Sequence, residues 1–216
     1  MGDTDFATSL IDDAIPFWIR HGWDRSSGGM ITSLDRDGAI VDTDKSIWFQ
    51  GRSAWMFATL YNTVSADPLW LQVAQSCIEF LDHHGSDCRH LSDRLAVRPQ
   101  EPAPKLYFTV DRQGNPLRMR RYYYSESFAA IAYAALFKSL GIERYCIASI
   151  RMFEAFLVGC LQPGTIPPKS DPATRPMQGI GPWMIAMVTA QELRENLGDI
   201  EVLGVTCTQW LDRCLD

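Results

Sequence analysis

The sequence predicts an all-α fold of the α/α-toroid type, in which an inner ring of buried helices is wrapped by an outer ring of half-wet ones. Three features predict it. Helical stripes dominate the chain, and they alternate between segments apolar on most sides and segments with one polar face. Two short hairpin patterns each lead into one of the buried helices. The two hairpin-plus-helix units also repeat: Asp35-Arg36-Asp37-Gly38 recurs 76 residues later as Asp111-Arg112-Gln113-Gly114. At that same spacing Trp48 falls on Tyr124, Gln50 on Glu126, Ala54 on Ala130, Ala58 on Ala134 and Leu60 on Leu136. A repeated supersecondary unit signals a stacked or closed array, and a plain bundle would not need the hairpins.

Element by element, a first helix is expected from about Asp5 to Arg20, with Phe6, Leu10, Ala14, Phe17 and Trp18 on one stripe. The run from Gly28 to Val41 reads as a hairpin around Asp-Arg-Asp-Gly, with glycine where positive φ is needed. A second, inner helix follows from about Asp44 to Val64, with Asp42, Thr43 or Asp44 available as its cap. A third spans about Pro68 to His83, capped by Asp67 with Pro68 at its first position. The polar stretch from Gly85 to Pro104 is expected as loop, and Leu106 to Leu117 as the second hairpin. A fourth, largely apolar helix opens near Ser125 and ends at Gly141. A fifth covers about Glu143 to Leu161. The proline-bearing segment from Gln162 to Gln178 is loop, a sixth helix covers about Gly181 to Leu197, and the last segment, Glu201 to Asp216, reads as helical. The expected whole is a single domain over residues 1–216, an incomplete ring of six to seven helices with two short hairpins.

Composition narrows the function classes. The 20 basic residues against 26 acidic ones give a net charge of −6, which leaves no basic footprint for nucleic acid. No apolar run approaches the roughly 20 residues of a membrane span. The acidic amino terminus lacks the layout of a secretory signal, so a cytoplasmic protein is expected. The six cysteines contain no C-x-x-C pair and read as buried free thiols. The four histidines (His21, His83, His84, His90) are scattered, so no metal is assigned. No glycine-rich phosphate cradle occurs anywhere in the chain. Ser125-Glu126 and Ser170-Asp171 read as caps, because no histidine is placed to activate a nucleophile.

In a toroid the starts of the inner helices converge at one mouth. That places Trp48, Gln50 and Arg52 together with Tyr122, Tyr123, Tyr124 and Glu126, and adds Trp183 and Met184 from the third inner helix. An arginine inside an apolar helix is expensive to bury unpaired. One reading is an Arg52–Glu126 salt bridge between neighbouring inner helices. The other is a pocket in which Arg52 donates to a sugar hydroxyl or a developing oxyanion, with aromatics packing the ring faces. A glycosidase-like carboxylate pair, such as Glu126 with Asp44, also fits the spacing.

These same residues carry a resemblance. Asp35 to Gly38, the stretch Trp48-x-Gln50-Gly51-Arg52-x-x-Trp55-Met56, the run Tyr124 to Ala134 and the block Gly179 to Leu193 resemble the N-acylglucosamine 2-epimerase family. That family includes cellobiose 2-epimerases and mannose-type aldose–ketose isomerases. The resemblance covers essentially the whole chain. It implies an (α/α)6 barrel of about twice this length, of which this chain is the amino-terminal half. It implies proton removal beside a sugar carbonyl, a cis-enediolate, and return of the proton on the other face. Arg52 matches the family's pocket arginine; Trp48, Gln50, Tyr124, Glu126 and Met184 fall on matched stretches. The family's proposed acid/base pair is two histidines from its second half, one of them in an Arg-His-x-Asn-Pro-Gly-His-type stretch, and neither has a match here. No metal or redox cofactor is implied.

The expected function is therefore that of a sugar 2-epimerase or isomerase whose catalytic set is incomplete in this chain, which should not turn over sugar alone. A non-catalytic carbohydrate-binding or protein-interaction half-toroid, burying its open face in a second copy or another chain, is the alternative. A toroid glycoside hydrolase with Glu126 as acid is the third.

Overall fold

The structure, a computed structural model, describes residues 6–98, 100–162, 164–167, 171, 173–177 and 179–215. The first helical segment is not one regular helix. Short α-helical pieces α1 (Phe6–Ser9) and α2 (Ile15–Phe17) alternate with π-helical turns over Leu10–Ala14 and Trp18–Gly22. Pro16 has no N–H to give to the ladder, so regular α-helical bonding cannot run through it. Strands β1 (Ser33–Leu34) and β2 (Ile40–Asp42) then form the first hairpin. Strand β3 (Lys45–Ser46) leads directly into helix α3 (Ile47–Thr63).

Helix α4 (Pro68–His84) begins as expected, with Asp67 accepting from the Leu69 N–H at 2.8 Å. The polar stretch expected as loop holds a short helix, α5 (Leu91–Val97). Its two leucines, Leu91 and Leu95, are one turn apart and buried, and buried Asp82 accepts from both the Ser92 N–H (3.1 Å) and the Ser92 hydroxyl (2.6 Å). Tertiary contact makes that helix where local composition does not.

The second hairpin, β4 (Thr109–Val110) and β5 (Pro116–Arg118), joins β3 in a three-stranded antiparallel sheet of order β3-β4-β5. Both hairpin turns hold glycine at positive φ, Gly38 at 88° and Gly114 at 93°. Helices α6 (Tyr124–Leu140), α7 (Glu143–Leu161) and α8 (Gly181–Leu197) follow within a residue or so of their expected bounds. The last segment departs from expectation. It opens with a third hairpin, β6 (Glu201–Val202) and β7 (Val205–Thr206), before helix α9 (Cys207–Leu215). Its two-residue turn, Leu203-Gly204, has positive φ at both positions, as tight hairpins favour. It follows the end of α8, whereas the first two hairpins precede the starts of α3 and α6.

Helices α3, α6 and α8 lie side by side as the inner layer, and α4, α7 and α9 pack outside them as their partners. The core fills the space between the layers. Helix α6 is buried along most of its length, with Ala129, Ala130, Ala132, Ala134 and Ala135 all fully buried. Small residues let the inner helices approach closely. At Gly51 of α3 an added Cβ would lie 2.8 Å from the Phe128 carbonyl carbon and 2.9 Å from its oxygen on α6. No disulfide joins the six cysteines, of which Cys77, Cys88 and Cys207 are buried. Among the described residues no helix is long and apolar enough to cross a membrane.

The Gly51 contact is with backbone, which cannot rotate away. Gly51→Ala is therefore expected to destabilise by about 1–3 kcal/mol through overpacking, although alanine favours helix by about 1 kcal/mol. Urea unfolding reads the difference, and an unchanged or raised midpoint would remove the close-approach argument.

Candidate functional site at the inner-helix starts

The starts of the inner helices converge. The Trp48 and Phe128 rings lie 5.6 Å apart across α3 and α6. At the start of α6, Tyr122 and Tyr124 stack at 5.1 Å, and the Tyr124 hydroxyl lies beside Gly181, the first residue of α8. Further along the same face the Trp55 indole N–H donates to Glu192 Oε2 at 2.7 Å, reaching from α3 to α8. Burial raises the Glu192 carboxyl, and the Trp55 bond offsets part of that. Helical spacing puts Arg52 between Trp48 and Trp55 on one stripe of α3. Arg52 is exposed, and it forms no ion pair among the described residues.

The Arg52–Glu126 salt bridge weighed from sequence is therefore not formed. Glu126 is fully buried. Its Oε1 accepts from the Leu106 N–H at 2.7 Å, and its Oε2 has no hydrogen-bond partner. Desolvation drives its carboxyl up to about 7, against the Leu106 bond and the charge of Lys105. Glu126 anchors the segment entering β4. It is not open to a substrate, and no contact pairs it with Asp44 among the described residues.

Gln50 is likewise occupied. Its Oε1 accepts from the Met30 N–H at 2.7 Å, and its Nε2 donates to the Met30 carbonyl at 2.8 Å. Met184 is exposed on α8, whereas Trp183 turns outward among Leu157, Leu161 and Trp210. Of the six residues singled out from sequence, then, Trp48, Arg52, Tyr124 and Met184 are left available at the helix starts. Gln50 and Glu126 hold the loops that shape them.

Sequence reasoning missed the group that fixes this end of the molecule. Lys45 is fully buried and donates to Asp24 Oδ2 (3.0 Å), the Gly28 carbonyl (2.6 Å) and the Arg112 carbonyl (3.3 Å). Arg112 donates to the same Asp24 oxygen at 2.8 Å. Burial alone would raise the Asp24 carboxyl, but the bonds from Arg112, Ser26 and Lys45 outweigh it and hold it far below the usual carboxylate range. The available signal was a lysine two residues before the start of a largely apolar helix.

The caps proposed for α3 also differ. Ser46 occupies the cap position without a side-chain capping bond, and Asp42 instead accepts from the Asp44 N–H at 2.9 Å. Ser170 lies outside the described residues, and Asp171 accepts from the Ala173 N–H at 2.9 Å.

None of the four histidines joins the inner-helix starts. His21 packs on Phe17 and the turn at Gly38, His84 on Phe80 and the turn at Gly114, and His83 against His90. The described residues hold no group of three or more His, Cys, Asp or Glu side chains that could hold a metal.

Comparison with known proteins gives the family and the fold. The family model for N-acylglucosamine 2-epimerase (GlcNAc 2-epimerase) matches residues 28–153. The chain belongs to the N-acylglucosamine 2-epimerase family. It is 32% identical over 147 residues to the N-acylglucosamine 2-epimerase of Mus musculus, a match covering 68% of this chain and 33% of that protein. With the Homo sapiens protein of the same name it shares 30% over 146 residues, 67% of this chain and 31% of the relative. Among solved structures, cellobiose 2-epimerase from Bacillus thermoamylovorans B4167 superposes with a TM-score of 0.74 at 17% identity, covering 98% of this chain and 54% of that one. A D-mannose isomerase gives 0.69 at 13% identity, covering 99% and 51%. The fold is that of an (α/α)6 toroid. The chain spans about half the length of these solved structures, and its match spans about a third of the curated relatives.

The burial of Glu126 sets a pH dependence. Its folded-state pKa of about 7 lies above the ordinary 4.5, so the native state holds the proton more tightly than the unfolded chain does. Stability is then lost as pH rises through that window and is fully reduced above it. Glu126→Gln keeps an acceptor for Leu106 and cannot ionise. Its stability relative to wild type should rise between pH 5 and pH 8 by roughly 3 kcal/mol, measured by urea unfolding across pH. A constant difference would show that the folded protein does not raise the Glu126 pKa above its ordinary value.

Proposed function

We propose that this chain forms the amino-terminal half of a sugar 2-epimerase or aldose–ketose isomerase ring, as one domain over residues 1–216. It would act with a carboxy-terminal half on N-acylglucosamine, N-acylmannosamine or a related sugar. The observation that carries the reading is Arg52: an exposed guanidinium with no ion pair among the described residues, flanked by Trp48 and Trp55 on one stripe of α3. A planar fork of donors beside aromatic faces suits a sugar whose carbonyl oxygen gains charge as the neighbouring carbon loses its proton. Trp48, Tyr124 and Met184 would line the same cavity, with Gln50 and Glu126 positioning its walls.

The family relationship supports the reaction class: deprotonation beside the carbonyl, a cis-enediolate, and reprotonation from the opposite face. A base with a pKa near working pH suits that step, and the histidines of this chain make their ring contacts elsewhere. The second half of the ring would supply the proton-transferring groups and cover the exposed α8 face at Met184 and Val188. Six cysteines without a bridge support a reducing, cytoplasmic setting.

Saturation-transfer NMR with N-acetylmannosamine, mannose and cellobiose tests the sugar site. Arg52→Ala should weaken binding about tenfold, as expected for loss of a charge-assisted hydrogen bond, with an unchanged circular-dichroism spectrum. Full retention of affinity would contradict the role of Arg52. In the same samples in deuterated water, the chain alone should not exchange the hydrogen beside the sugar carbonyl; exchange well above a buffer blank would show that its own residues suffice. Sedimentation separates the alternative in which a second copy covers the α8 face.

A further inference from the structure

The two repeated hairpins enclose a second polar cleft, whose lining includes neither Trp48 nor Arg52. It has a volume of about 510 Å³ and is lined by Thr32, Ser33, Asp42, Asp44, Ser46, Thr109, Leu117 and Arg118. Its construction follows from strand register. Ser46 pairs with Thr109, and Thr109 with Arg118, so these three side chains share one face of the β3-β4-β5 sheet. Lys45 and Val110, the next pair along, point to the other face and are fully buried. Opposite stands the first hairpin, where Ser33 pairs with Asp42. The 76-residue repeat maps Ser33 onto Thr109 and Asp42 onto Arg118. Equivalent positions of the two units thus face one cleft, a carboxylate from one and a guanidinium from the other. Neither group forms an ion pair among the described residues.

The decisive atom is the Ser46 hydroxyl. Ser46 is only 7% exposed, and its Oγ is buried with no hydrogen-bond partner. Serine at a helix start ordinarily spends its hydroxyl on the N–H groups of the first turn. Here it makes no such bond. A buried hydroxyl with no partner is destabilising unless something entering the cleft satisfies it. The other groups have capacity to spare. Asp42 accepts one backbone bond at Oδ1, and the Thr32 hydroxyl accepts from the Ser46 N–H at 3.0 Å, which leaves its proton free to donate.

We infer that this cleft is a second saccharide-binding site, built for a neutral polyhydroxylated unit and separate from the inner-helix face. The mixture of groups selects that class. Arg118 opposes a bare cation, and the two carboxylates oppose an anion. A sugar ring donates hydroxyl protons to Asp42 and Asp44 and accepts from Arg118 and the serine and threonine hydroxyls. The inference stands independently of the reading of Arg52, and either can fail alone.

The test is amide NMR of the full chain titrated with cellobiose, and separately with calcium chloride. Cellobiose is expected to shift Thr32, Ser33, Ser46, Thr109 and Arg118 saturably. Ser46→Ala and Arg118→Met should weaken that response, the second by about tenfold. Ser46→Ala should raise the thermal midpoint, since it removes a buried hydroxyl that makes no bond in the free protein. Trp48→Ala should leave the hairpin response intact. Shifts confined to the surroundings of Trp48 and Arg52 would overturn the second site while leaving the first. A hairpin response to calcium and not to cellobiose would overturn the saccharide assignment, as would cellobiose binding indifferent to Ser46→Ala and Arg118→Met.

Discussion

One buried charge cluster holds the two repeated units to each other. Asp24, from the loop before the first hairpin, accepts from Lys45 at the entry to α3 and from Arg112 in the turn of the second hairpin. Lys45 closes the cluster by donating to the Gly28 and Arg112 carbonyls. Each of the three N–H donors of the lysine ammonium has an acceptor, as a fully buried charge requires. The cluster places the starts of α3 and α6 at one end of the molecule. Trp48 and Phe128 meet there.

The inner face depends on a second constraint, the closeness of α3 and α6 at Gly51. Without a side chain at that position, the Phe128 backbone can lie against α3. That contact brings the Trp48 and Phe128 rings together. Specificity of placement thus comes from a missing Cβ and a buried ion cluster, while the hydrophobic core between the helix layers supplies the bulk burial.

The fold was legible because its signals are local and repeated. The 76-residue repeat, the alternation of buried and half-wet helices, and the turn glycines all read directly from spacing. Helix α5 was not legible, since Leu91 and Leu95 form a stripe only once Asp82 has captured Ser92. Nor was the third hairpin, whose only mark is Gly204. At the site, residue types were readable and their assignments were not. Gln50 and Glu126 sit at repeat-related positions, and both bind backbone N–H groups of incoming loops. Whether a polar side chain on an inner helix faces a ligand or a loop depends on where that loop returns, which no spacing encodes. The Ser46 hydroxyl was invisible for the same reason: its significance is a bond it does not make.

Native-state hydrogen exchange of Asp24→Asn tests most directly the claim that one charge cluster joins the two units. The substitution keeps shape and removes the counter-charge of Lys45. Protection is predicted to fall together at amides of both units, at Met30, Ser46 and Ile47 in the first and at Phe108 in the second, while the interior of α7 stays protected. Loss confined to the loop around Gly28, with Ile47 and Phe108 as protected as in the wild type, would contradict it.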